Sequence, residues 1–195
     1  MSAPEFEVYS YGRKAGSAKP EFKMDIEVDA EVFRGNSDDQ ESWSCCGMNG
    51  AIMLEIVCHP QMPIVMDKLV KNILKAQQPD RPLKIGVRCY AGRHRSVAFA
   101  TMLVDSLLEL DPDGGTPAVS YKHMAAEDRP HCGCPDACQN LVPGRNKKVE
   151  DIIRRHKHWD VEALRLHWQE NGEAAIVVFR RLWATALERE IGILL

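Results

Sequence analysis

Long apolar runs are missing from this chain of 195 residues. No stretch approaches the roughly 20 consecutive apolar residues that a membrane-spanning helix needs, so no membrane partner is expected. The opening residues, Met1-Ser2-Ala3-Pro4-Glu5, carry no basic region followed by an apolar stretch, and a secretory signal is not expected. Positive charge is not in excess. The formal net charge is −3 with 27% charged residues, which gives no global pull toward nucleic acid or anionic lipid. Internal repeats, low-complexity tracts and a Gly-x4-Gly-Lys-Ser/Thr loop are all lacking. These absences leave a cytoplasmic globular protein as the expectation. Its 7 cysteines are then expected as reduced thiols or metal ligands rather than a disulfide framework. What is present is 45% hydrophobic content, enough to build an ordinary core.

The most informative segment runs from Leu83 to Leu108. Leu83-Lys84-Ile85-Gly86-Val87 reads as a short apolar strand that breaks into a turn at Tyr90-Ala91-Gly92. Three cations follow, Arg93, His94 and Arg95. Ser96 then opens an apolar helix through Phe99, Met102, Leu103, Leu107 and Leu108. The first N–H groups of a helix have no internal partner, and its peptide dipoles leave partial positive charge there. A glycine turn feeding a helix N-terminus is therefore suited to an anion, and Arg95 adds a two-point grip on phosphate or carboxylate. The spacing predicts an oxyanion on the backbone of residues 91 to 96. The ligand-binding candidates are Cys89, Tyr90, Ala91, Gly92, Arg93, His94, Arg95 and Ser96. His123 joins them, at the end of a strand, Ala118 to His123, expected to lie beside the loop.

Cys89 to Ser96 also fits the signature of cysteine-dependent phosphatases, a Cys and an Arg separated by five residues and followed by Ser. In that chemistry Cys89 is the nucleophile, Arg95 holds the phosphoryl oxygens, and Ser96 eases departure of the thiolate. A general acid is also required. Asp38, Asp39, Asp113 and Asp128 are available, but none sits in a motif typical of the acid loop. Arg88 stands where tyrosine phosphatases carry a His before the nucleophile. A binding module is therefore expected ahead of an enzyme.

The stretch from Ile85 to Val97 resembles the C-terminal domain of the RapZ family of RNase adapter proteins. Their loop reads Gly-Cys-Thr-Gly-Gly-x-His-Arg-Ser-Val, and His94-Arg95-Ser96-Val97 stands at its end. Tyr9-Ser10-Tyr11-Gly12-Arg13-Lys14-Ala15-Gly16 is similar to the family's opening strand and turn, Ser-Phe-Gly-Phe-Lys-His-Gly. Ile26 to Asn36 falls where the family has an Asp-Val-Arg-Phe strand, and Val119-Ser120-Tyr121-Lys122-His123 where it has a strand ending in His. The resemblance implies a phosphometabolite-binding regulatory domain, with a phosphosugar or nucleotide as ligand. It departs from the family at Ala15 for the turn His, near Glu31 for the strand Arg (with Arg34 close by), and at Tyr90-Ala91 for the loop Thr-Gly. The gripping elements remain while those that choose the attached group differ.

The expected fold is α/β: a small mixed sheet with helices packed on it, a phosphate-binding loop between a strand and a buried helix, and a helical C-terminal tail. Strands are expected at Glu5 to Tyr11 and from Ile26 through Val32 and Phe33, with a helix from Pro63 toward Pro79. Ala51 to Val57 reads equally as helix or buried strand. Residues 1–130 are read as the α/β domain, 131–148 as a Cys-rich loop and 149–195 as a helical extension packed on the domain. In that extension, segments begin at Val149, Val161 and Ala174, with Gly172 between the last two.

Two further constellations stand out. His131, Cys132, Cys134 and Cys138 crowd a glycine-proline turn, and zinc takes tetrahedral sulfur and nitrogen ligands of this kind. The fourth ligand stays open among His131, His123, Cys58 and His59. Arg145 to Lys148 and Arg154 to His158 make a basic segment. RapZ proteins bind RNA, so an RNA or protein partner is carried beside the phosphorylated ligand, although no aromatic platform accompanies the segment and acidic residues dilute it.

Overall fold

Alternating apolar residues over four short segments produce four strands: β1 (Glu5–Gly12), β2 (Ile26–Asp29), β3 (Leu83–Cys89) and β4 (Ala118–His123). The computed structural model describes residues 5–17, 19–34, 50–76, 81–108, 118–124 and 161–194. The strands lie in the order β2-β3-β1-β4. The expected α/β fold with helices packed on a small sheet is present, and among the described residues every strand pairing is parallel. Parallel neighbours need long crossovers, and the chain supplies them. Helices α1 (Gly50–Val57) and α2 (Met62–Ala76) lie between β2 and β3, and α3 (Arg95–Leu108) between β3 and β4.

The register places Phe6, Val8 and Ser10 of β1, Ile26 and Val28 of β2, and Leu83, Ile85, Val87 and Cys89 of β3 on one face. All are buried. Helix α3 packs across β1, β3 and β4. The last helix, α4 (Val161–Leu194), packs against α1, α2 and α3. Its buried residues Ala175, Phe179, Trp183 and Ala186 recur every three or four positions, the spacing of one helix face. Phe179 meets Phe99 of α3 edge-on at 5.2 Å, and Phe99 stacks on Phe33 at 5.7 Å. One aromatic chain thus links the C-terminal helix to the turn after β2. Arg180 grips Asp105 in a part-buried two-point pair at 2.7 and 2.9 Å, and Arg189 pairs with Asp67 at 2.8 Å on an exposed face, where such a pair contributes little.

Three differences from the sequence reading have physical causes. The strand expected through Val32 and Phe33 stops at Asp29, whose carboxylate accepts the Glu31 N–H at 3.1 Å and caps a 3₁₀ turn over Ala30–Phe33. The ambiguous segment at 51–57 is helical, and it packs against α3 and α4. Gly172 does not divide the tail: residues 161–194 form one helix. A single glycine costs a helix about 1 kcal/mol, too little by itself to end it. No helix among the described residues is long and apolar enough to cross a membrane. His131, Cys132, Cys134, Cys138, the boundary near residue 130 and the basic segments at 145–158 lie outside the described residues.

Candidate functional site

Parallel strands bring their carboxyl ends to one edge of the sheet. The chain leaves β1 toward β2 on one side and leaves β3 toward β4 on the other. The ends of the adjacent strands β1 and β3 therefore lie at a switch point of the sheet, the position at which open α/β sheets commonly bind ligands. Gly12 pairs with Cys89 there, and pairing continues past the strands. The Arg13 N–H donates to the Cys89 carbonyl at 3.0 Å and the Lys14 N–H to the Tyr90 carbonyl at 2.9 Å.

The loop is fused to β1 through two glycines. Gly92 has φ +73°, and a Cβ on it would sit 2.3 Å from the Gly12 nitrogen. A Cβ on Gly12 would lie 2.8 Å from the Ala91 carbonyl carbon. Backbone touches backbone here, so no side chain fits. Beneath the turn, the Cys89 Sγ accepts the Gly92 N–H at 3.2 Å and lies 3.2 Å from the Ser96 Oγ. Cys89 is 5% exposed and Ser96 fully buried, so thiol and hydroxyl brace the loop from inside. Helix α3 begins at Arg95, and the His94 carbonyl accepts the Ala98 N–H at 2.9 Å. Arg93, His94 and Arg95 are half-buried. The Arg95 guanidinium reaches the Glu31 carbonyl at 3.5 Å, which leads it toward the turn after β2.

That turn also anchors the β1 side. Glu31, near where the family has an Arg, forms a two-point pair with Arg13, with Nη2 donating to Oε1 at 2.8 Å. Hydrogen bonding to Arg13 holds the Glu31 carboxyl below its ordinary pKa. Tyr90 is exposed, and Arg13 and Lys14 lie 5.5 and 6.0 Å from its ring centroid.

His123 lies on the other side of β1 from β3, paired with Ser10. Its Nδ1 is 2.8 Å from the Ser10 Oγ, which is 3.0 Å from the Tyr121 hydroxyl. Burial lowers the imidazole pKa. The structure thus joins Cys89 to Ser96 in one loop and sets His123 on the same sheet face, two residues short of the loop's level on β1. The sequence places Ser10, Arg13, Lys14 and Tyr121 only within the stretches that resemble the family and Glu31 only as a departure from it, and assigns none of them to the site. Two signals bear on them: the charged turn after β1 and the alternation that puts Ser10 and Tyr121 on the sheet's inner face. Among the described residues no group of three or more His, Cys, Asp or Glu could hold a metal ion.

A parallel sheet with a glycine-tight strand–loop–helix at its switch point defines the class: an α/β domain with a tight loop at the carboxyl ends of its central strands. Residues 4–125, well over half of the chain, match the RapZ C-terminal domain, and the chain belongs to that family. Comparison with the curated proteins gives no match. All four strands, α1 to α3 and the loop fall within the family match, whereas α4 lies beyond it.

Proposed function

We propose that this chain is a regulatory binding module that takes a phosphorylated small metabolite, its phosphate resting on the loop of residues 91 to 96, whose Gly92 N–H is shared with the Cys89 Sγ. The supporting observation is the loop itself. It lies at the switch point, is locked against β1 by the Gly12–Gly92 contact, and leads into the first turn of α3, whose early N–H groups have no helical partner. Arg95 supplies the clamp, with His94 flanking it and His123 behind. Losing a charge-assisted pair to a bound anion costs about 2–5 kcal/mol. Arg95→Ala should therefore abolish most of the thermal stabilisation given by phosphosugars, nucleotides or inorganic phosphate, with the circular dichroism spectrum unchanged. Equal stabilisation of both proteins would end this reading.

The 3.2 Å approach of the Cys89 thiol to the Ser96 hydroxyl favours one alternative, a cysteine-dependent phosphatase. The same samples separate the two. A binding module releases no phosphate from p-nitrophenyl phosphate between about pH 5 and 8, the range in which a low-pKa thiolate acts. Hydrolysis that vanishes in Cys89→Ser would establish the enzyme instead.

A further inference from the structure

The fold does not account for the exposure of Tyr90. The residue is 52% exposed, so it adds little to the core, yet its backbone is tightly held. The Tyr90 carbonyl accepts the Lys14 N–H, the preceding Cys89 carbonyl accepts the Arg13 N–H, and the following Ala91 is pressed against Gly12. The Arg13 guanidinium lies 5.5 Å and the Lys14 ammonium 6.0 Å from the ring centroid, within the reach of cation–π attraction. Arg13 is itself fixed by its two-point pair with Glu31. The result is a positioned aromatic ring with two cations over it and half of the residue's surface still open, one residue before the first N–H of the loop. A planar π system stacks on such a ring whatever its hydrogen-bonding pattern, and neighbouring cations strengthen the stack.

We propose that the ligand of this site is a nucleoside monophosphate, its base stacked on Tyr90 beside Arg13 and Lys14 and its phosphate on residues 91 to 96. This rests on the reading of that loop as an anion site and names the group the phosphate carries. The two cations also offset the negative charge of the ligand as it approaches.

Calorimetric titration of the full chain with adenosine 5′-monophosphate, uridine 5′-monophosphate and ribose 5-phosphate tests it. Both nucleotides should bind at least about fivefold tighter than ribose 5-phosphate, the low end of what base–aromatic stacking contributes. Tyr90→Ala should bring the nucleotides to parity with ribose 5-phosphate. Tyr90→Phe should keep the preference, because the ring and not the hydroxyl makes the stack. Equal binding of all three by the unaltered chain, lost together in Arg95→Ala, would overturn the nucleotide and leave the anion site standing. Binding of none of them would overturn both. A 5′-phosphorylated RNA tetramer binding far tighter than the mononucleotides would overturn the small-molecule ligand in favour of an RNA end.

Discussion

Gly92 carries the tightest steric constraint at the site. Its positive φ disfavours any L side chain, and a methyl group there would strike the β1 backbone at 2.3 Å. Backbone cannot swing aside as a side-chain tip can. Gly92→Ala should destabilise the fold by about 2–4 kcal/mol, combining left-handed strain with overpacking. The midpoint of urea unfolding reads it, and an unchanged midpoint would mean that the loop can lift off β1. His123 makes the protonation prediction. Burial lowers its pKa below the ordinary 6.5, so below that pH the unfolded chain takes up a proton that the folded chain resists. Stability is then whole above about pH 6.5 and is lost as pH falls through the folded value. His123→Gln, which does not titrate, should show a flatter dependence of unfolding free energy between pH 7.5 and 5.5. Parallel losses in the two proteins would contradict it.

At the scale of elements, the notable addition is α4. It lies outside the family match, yet it shares one core with the matched elements. Phe179 is fully buried and meets Phe99 on α3, the helix that the loop opens. Phe-to-Ala changes in cores cost about 3–5 kcal/mol. Phe179→Ala should lower the whole unfolding transition by that amount and keep it a single step. A separate early transition would show α4 to be an appendage rather than part of the core. The 3₁₀ turn after β2 has a comparable role on a smaller scale. Asp29 starts it, Phe33 roots it in the core, and Glu31 projects from it to hold Arg13.

For the molecule as a whole, the site is a product of chain direction. Four parallel strands gather their carboxyl ends, and the change of direction between β1 and β3 sets the loop there. Between the family match and α4 lies the thiol cluster. We propose one zinc per chain, held by Cys132, Cys134 and Cys138 with a histidine, His131 foremost, since zinc favours four such ligands. Elemental analysis of tag-free protein should find it, and a chelator should lower the melting temperature. Metal-free protein whose three thiols react freely in the native state would refute it.

The strand, turn and helix of 83–108 are legible in the sequence because their signals are local. Alternation in Leu83 to Val87, the glycine turn and the apolar helix each arise within a few residues. The order of the four strand segments is legible too, through the resemblance of Tyr9 to Gly16 and Val119 to His123 to known motifs. Where a local cap competes, as at Asp29, periodicity overruns the true strand end. Only the tertiary structure decided which strands are neighbours and that all run parallel. A period of two names the face a residue shares but not the strand it pairs with. It alone joined Gly12 to Gly92, Arg13 to Glu31, Ser10 to His123 and Phe99 to Phe179. Each of these contacts spans a long loop of chain, and what selects it is the fit of whole packed layers rather than the preference of any one segment.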